Sequence, residues 1–114
     1  MARDEQADSE LVKRQNRRLV LEALRQSGAQ ARTDLGRMTG LSLATISSIS
    51  GQLLAEGLIE PSGETEFGTR NRRGRPLTLL DLNPAAANVL AIKLSVDGAE
   101  MVLADFRGQL RGRQ

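Results

Sequence analysis

Four arginines within six positions of the sequence have the clearest capacity to bind a ligand. They are Arg70, Arg72, Arg73 and Arg75, and no acidic residue lies between them. A guanidinium is a permanently charged, planar donor that matches phosphate oxygens and base edges. The order Arg73-Gly74-Arg75-Pro76 is the core of the AT-hook pattern, in which two arginines lie along a narrow minor groove and Gly74 lets the backbone approach its floor. The segment predicts contact with duplex nucleic acid. The alternative is a Gly-Arg-Pro that only ends a loop and begins a strand.

A second group of candidate contact residues lies between positions 42 and 52, in the first turn and on the outer side of a predicted helix. Its members are Ser42, Leu43, Ala44, Thr45, Ser47, Ser48 and Gln52. Most are small, so a DNA groove can approach closely, and their apolar atoms suit thymine methyl groups. None is Arg or Lys, and we therefore expect direct reading of guanine to be weak. The alternative is an ordinary solvated helix face.

Asn16, Arg17, Arg18 and Arg32 are candidates for contacts to the phosphate backbone, which fix register without reading sequence, and Thr33 is a further candidate for contact with DNA. They belong to the segment 11–37, which has seven basic and two acidic residues, whereas 38–69 has four acidic residues and no basic one. A charge segregated in this way indicates a polyanionic partner. The alternatives are a solvated face of the first helix and an arginine content that reflects a GC-rich genome.

The residues that are missing exclude several classes of protein. The 114-residue chain has no His and no Cys, so it has no imidazole or thiolate zinc site, no Ser-His-Asp system and no disulfide. We expect no enzymatic activity, no cofactor and no metal. The acidic, polar N-terminus does not resemble a secretory signal, and no apolar run approaches the length of a membrane span. The sequence therefore predicts a cytoplasmic protein.

Three helices are predicted to position these residues. Apolar residues recur at helical spacing from Ser9 to Ser27, with Gly28 as a stop. Thr33 is the predicted N-cap of a helix over 34–39 that ends at Gly40, and Ser42 caps a third helix over 43–56. On the third helix the predicted core face is centred on Ile46. Within about 80° of it lie Leu43, Ile49, Ser50, Leu53 and Leu54.

Strands are predicted after the third helix. Residues 58–60 and 77–82 form two strands around the polar loop 61–74, which describes a wing. Two further strands, 88–96 and 99–106, join at Asp97-Gly98, and a third lies near Leu110. The fold class is mainly α with small β: three helices plus a β-hairpin wing, followed by a short β-hairpin tail. We divide the chain into a flexible acidic N-terminus over 1–9, a winged helix-turn-helix DNA-binding domain over 10–83, and the tail over 84–114.

Several short motifs resemble the ROK family of sugar-responsive transcriptional repressors. They are Thr33-Asp34-Leu35, Thr39-Gly40-Leu41-Ser42, Ala44-Thr45-Ile46-Ser47, Glu56-Gly57-Leu58-Ile59, Gly74-Arg75-Pro76 and Leu82-Asn83-Pro84. The resemblance implies that the chain is a repressor of sugar or carbohydrate metabolism genes. The helix-turn-helix pattern predicts that 43–56 enters the major groove of double-stranded DNA, and the arginine-rich wing 70–76 is expected to enter the minor groove. The resemblance also implies that 84–114 is a remnant of an actin-like domain.

The resemblance to the family's kinases breaks down in the tail. Where those kinases carry an Asp and a Gly-rich phosphate turn, this chain has Lys93-Leu94-Ser95 followed by Val96-Asp97-Gly98. The family's zinc cluster and sugar-contacting residues would lie beyond Gln114. A sugar effector is therefore expected only in a longer parent protein, and we interpret the chain as a truncated form, a fragment or a short paralogue.

Other functions remain open from the sequence. The alternating apolar residues of the tail strands need a cover, which favours a protein-protein interaction or dimerisation module, and we expect a homodimer. An inactive fragment of a ROK sugar kinase is a further alternative. RNA binding is disfavoured because Phe67 and Phe106 are the only aromatic residues and do not build a stacking platform.

Overall fold

The computed structural model describes residues 2–65 and 76–114, and in these ranges the order of elements is that of a winged helix followed by a second small sheet. The helices are α1 (Ala2–Ser27), α2 (Arg32–Thr39) and α3 (Leu43–Ala55). The strands are β1 (Gln30–Ala31), β2 (Ile59–Thr65), β3 (Leu77–Leu82), β4 (Asn88–Ser95), β5 (Gly98–Asp105) and β6 (Leu110–Arg113). The predicted fold class is confirmed.

The helix α1 is longer than predicted. It begins at Ala2 rather than near Ser9, so residues 2–9, which we expected to be flexible, continue the helix. The segment is rich in good helix formers and contains neither Gly nor Pro, and nothing interrupts the helix before Gly28. Val20, Ala23 and Leu24 of α1 enter the core.

The turn between α2 and α3 depends on two glycines. Gly40 ends α2 in the left-handed conformation, with φ of 75°, and its N–H donates to the carbonyl oxygen of Gly36 over 2.9 Å. Gly36 lies against the turn: a Cβ atom there would be 3.3 Å from the carbonyl oxygen of Leu41. The absence of a side chain at Gly36 lets α2 and α3 follow each other closely.

Two predictions about these helices were wrong. The N-cap of α2 is Ala31, which is extended and makes no side-chain cap hydrogen bond, and Thr33 lies exposed inside the first turn. The helix begins earlier because Ala31 is held extended by pairing with Leu79 of β3. Leu43 was expected in the core but is 52% exposed, because it is the first residue of α3 and core packing begins one turn later, at Ile46.

The core lies between the three helices and the first sheet. Ile46, Ile49, Ser50 and Leu53 are buried from α3, as predicted, and Leu54 is partly buried. Leu35 enters from α2, and the strands supply the remaining aliphatic side chains: Ile59, Leu80 and Leu82.

The first sheet has the order β1-β3-β2 and is antiparallel throughout. The strand β2 continues beyond the predicted Glu60 to Thr65, with an irregularity in register between Pro61 and Glu64. Pro61 is tolerated because β2 is an edge strand, where a missing N–H costs no central hydrogen bond. The two-residue strand β1 was not predicted, since so short a segment has no periodicity.

The second sheet, in the order β4-β5-β6, includes the third strand expected near Leu110. Its first turn consists of Val96 and Asp97, one position earlier than predicted, because Gly98 already pairs with Ser95. The sheet is tied to the winged helix by Arg107: its Nε donates to the carbonyl oxygen of Leu82 over 2.7 Å, and its guanidinium lies 3.5 Å from the carboxylate of Asp81 and 3.4 Å from that of Glu60.

Candidate nucleic-acid interface

The helix α3 presents an exposed face of small side chains. A hydroxyl network begins the helix: Ser42 Oγ accepts the backbone N–H of Thr45 over 3.2 Å and donates to Thr45 Oγ1 over 2.9 Å. This cap satisfies one of the backbone donors that the first turn leaves free. The predicted contact residues that the structure places on the exposed face are Ser42, Leu43, Ala44, Ser47, Ser48 and Gln52, with Thr45 half-buried beside them.

A groove of about 330 Å³ lies between this face and α1. It is lined both by predicted contact residues of α3 and by predicted phosphate contacts of α1. The lining residues are Lys13, Asn16, Arg17, Ala44, Thr45, Ser48, Ile49 and Gln52. An adjoining groove shares Lys13, Arg17 and Gln52 and adds Arg14 and Glu10, so a basic strip runs beside the outer surface of α3. Basic side chains of α1 and small polar side chains of α3 therefore lie along one open surface.

Sequence reasoning missed Lys13 and Arg14 as members of this strip. The signal was their spacing: Lys13 precedes Asn16 by three residues and Arg17 by four, and these separations place side chains on one helix face. The ion pair between Lys13 and Glu10 is long, since Glu10 Oε1 lies 3.9 Å from Lys13 Nζ.

Arg17 makes a two-pronged contact with the end of α3. Its Nη1 and Nη2 donate to the two carboxylate oxygens of Glu56 over 3.0 and 2.6 Å. The hydrogen bond from Arg17 holds the pKa of the Glu56 carboxyl below its ordinary value, and the same bond raises the pKa of Arg17. The contact fixes the carboxyl-terminal end of α3 against α1.

Arg32 makes a comparable contact from the start of α2. Its Nε donates to Ser50 Oγ over 3.1 Å, and Ser50 Oγ in turn donates to the carbonyl oxygen of Ser47 over 3.2 Å. Ser50 is fully buried, and this pairing explains how a hydroxyl is accommodated in the core. Arg32 and Thr33 do not line the groove between α1 and α3.

The predicted wing is only partly within the described residues. The strands β2 and β3 pair as far as Thr65 and Leu77, so the base of the hairpin is formed. The predicted contact residues of the loop, Arg70, Arg72, Arg73, Gly74 and Arg75, lie outside the described residues.

Other kinds of site find no support in the part of the chain that the structure describes. Over residues 2–65 and 76–114, no group of acidic side chains is arranged to hold a metal ion. No helix in these ranges is long and apolar enough to span a membrane.

Comparison with known proteins points to one family. No protein-family model matches the chain. The xylose repressor of Caldicellulosiruptor bescii is 29% identical over 100 residues, which make up 88% of this chain and 24% of that repressor. The xylose repressor of Bacillus spizizenii is 30% identical over 104 residues, or 91% of this chain and 26% of that repressor. The chain thus spans about a quarter of the length of these curated relatives.

A solved structure agrees with these likenesses. A ROK family transcriptional regulator, described as a homologue of the E. coli MLC protein, matches with a TM-score of 0.63 and 26% identity over 90% of this chain and 25% of that one. Together, the motifs, the fold and these relatives show that the chain is similar to ROK family transcriptional regulators over about a quarter of their length.

Proposed function

We propose that the chain binds double-stranded DNA in a sequence-specific manner and acts in transcriptional repression. The observation that carries the proposal is the exposed small-residue face of α3 beside the basic strip of α1. In a helix-turn-helix protein the second helix of the motif enters the major groove while flanking cations contact phosphates. The relatives named xylose repressor favour genes of carbohydrate metabolism as targets.

In this proposal α3 enters the major groove with its first turn leading. Leu43 and Ala44, both exposed, offer apolar contacts to thymine methyl groups, and Thr45 and Ser48 offer hydroxyls to base edges. Lys13 and Asn16 reach phosphates on one side of the groove. The protein would act in the cytoplasm, as a homodimer, and a sugar effector would bind a longer parent protein.

Selection of bound duplexes from a random pool at physiological salt tests the proposal. We expect an enriched site that the chain binds more tightly than random DNA. Thr45→Ala and Ser48→Ala should then lower the ratio of specific to random binding while leaving the affinity for random DNA nearly unchanged. Equal binding of the unaltered chain to selected and random duplexes would reject sequence reading by α3.

The arginine-rich wing 70–76 is proposed to supply affinity through the minor groove. Arg73→Ala combined with Arg75→Ala should weaken binding and reduce the slope of log K against log salt by about 0.9 for each phosphate that is no longer neutralised. The matched control is Lys93→Ala combined with Arg113→Ala, which removes the same charge from exposed positions of the second sheet. An unchanged slope in the loop variant would reject the minor-groove role.

The second candidate function is an interaction module, which the outer strands favour. Leu90, Ile92 and Leu94 of β4 are all more than half exposed. An apolar surface of this kind marks a protein contact when it is contiguous. If the chain binds no duplex in the selection, but β4 variants such as Leu90→Ser change its self-association, this function replaces the first.

A further inference from the structure

Two carboxylates face each other at the base of the hairpin formed by β2 and β3. Glu60 of β2 is the direct register partner of Asp81 of β3. The side chains of such partners project from the same face of a sheet with their Cβ atoms about 5 Å apart, and like charges in this position destabilise the pairing. Neither strand contains a basic residue that could offset them. A cation from another element must therefore relieve the repulsion.

Arg107, in the turn between β5 and β6, supplies that cation. One guanidinium nitrogen, Nη2, lies 3.4 Å from Glu60 Oε1 and 3.5 Å from Asp81 Oδ2. The Nε of the same side chain donates to the carbonyl oxygen of Leu82 over 2.7 Å, which holds the guanidinium beside β3. In the part of the chain that the structure describes, no other basic side chain forms an ion pair with either carboxylate.

The backbone pairing beyond these carboxylates does little to hold the register of the hairpin. Pro61, the next residue of β2, has no N–H to donate, and the register is irregular between Pro61 and Glu64. A strand whose register is weakly specified can slip against its partner. The balance of charge at Glu60 and Asp81 is therefore well placed to decide whether β2 stays in register.

We propose that Arg107 is a positioning residue for this hairpin: from outside the winged helix, its charge holds Glu60 and Asp81 side by side and so keeps β2 in register on β3. The effect on DNA rests on the proposed function, because this hairpin is the base of the predicted wing. The described lining of the groove between α1 and α3 includes no residue of the second sheet. Arg107 thus links the second sheet to DNA binding through the base of the hairpin.

Hydrogen exchange of the free chain tests the proposal without DNA. Arg107→Ala should speed the exchange of β2 and β3 amides about fivefold, because the cross-strand pair becomes repulsive. Adding Glu60→Gln should return these amides to within about twofold of the unaltered chain, because the repulsion is removed. Arg113→Ala, which removes one guanidinium from the exposed end of β6, is the control and should change nothing in this hairpin. If Arg107 only ties the two sheets together through Leu82, Glu60→Gln restores nothing and the proposal is overturned.

Binding to a selected duplex separates this inference from the proposed function. Arg107→Ala should weaken binding about fivefold, and adding Glu60→Gln should restore it. Arg107→Ala combined with Glu100→Gln restores the same net charge at an exposed position of β5 and should leave binding weak. Equal recovery in the two double variants would mean that net charge alone matters, and Arg107 would have no positioning role in DNA binding. If the unaltered chain binds no duplex, the proposed function fails, and the exchange pattern still decides whether Arg107 holds the hairpin.

Discussion

Two arginines that the sequence marks as phosphate contacts are engaged by the protein itself. Arg17 donates a hydrogen bond to Glu56, thirty-nine residues away, and Arg32 donates one to Ser50. The sequence predicted both as phosphate contacts, but it did not reveal their protein partners, because contacts between distant positions depend on how the helices cross. We infer that Arg17 influences DNA binding mainly by holding α3 in place.

Comparison of two α1 variants tests this inference. Lys13 lines the groove beside α3 with a largely exposed side chain, and Lys13→Ala should reduce the salt slope of DNA binding by about 0.9. Arg17→Ala should reduce the slope less, because its terminal nitrogens already donate to Glu56. Fluorescence anisotropy at several salt concentrations measures both slopes. Equal reductions in the two variants would show that Arg17 contacts a phosphate directly.

The elements with strong periodicity were predicted well, and the elements defined by tertiary pairing were not. The bounds of α3 and β3 follow from a capping serine and an apolar run, and both agree with the structure to within one residue. The strand β1 and the early start of α2 depend on pairing with β3, which local sequence does not encode. The extra turns of α1 reflect helix propensity in a segment without the apolar spacing on which the prediction of that helix rested.

The cap at Ser42 gives a prediction for the stability of α3. Ser42→Ala should lower the free energy of unfolding by about 1 kcal/mol, because the N–H of Thr45 loses its acceptor. Ser42→Gly should cost only a few tenths of a kcal/mol by the same scale. Urea denaturation followed by circular dichroism measures both. An alanine variant as stable as the unaltered chain would show that the Ser42 hydroxyl contributes nothing to folding.

At the scale of the whole molecule, a short segment at the end of β5 joins the two sheets. Phe106 packs against the core of the winged helix, and Arg107 reaches Leu82, Asp81 and Glu60. Asp105 is buried and accepts the backbone N–H groups of Arg107 and Gln109. The sequence predicted the strands on both sides of this segment but gave no sign that they would be joined here.

The pKa of Asp105 makes the joint sensitive to acid. Burial alone would raise this pKa, but the two backbone N–H donors and the Arg111 guanidinium outweigh burial and hold it below the ordinary value. Because the pKa is lowered in the folded state, the stabilisation is complete above the ordinary pKa of about 3.9 and disappears as the pH falls through the lower, folded value.

Asp105→Asn keeps an oxygen acceptor and removes the charge. The variant should be less stable than the unaltered chain at pH 7, and the difference should shrink as the pH falls from about 4 to 2. Urea midpoints at pH 7, 5 and 3 measure the difference. Asp97→Asn, in the exposed turn between β4 and β5, is the control and should show no such trend. A difference for Asp105→Asn that stays constant with pH would show that the charge is unimportant.

The strand β3 connects the base of the predicted wing to the helix α3. It pairs on one side with β2 and on the other with Ala31, the residue before Arg32. Arg32 holds Ser50, in the middle of the helix proposed to read DNA. The base of the hairpin and α3 are therefore connected through two backbone ladders and one side-chain hydrogen bond, and we expect a displacement of β3 to be accompanied by a displacement of α3.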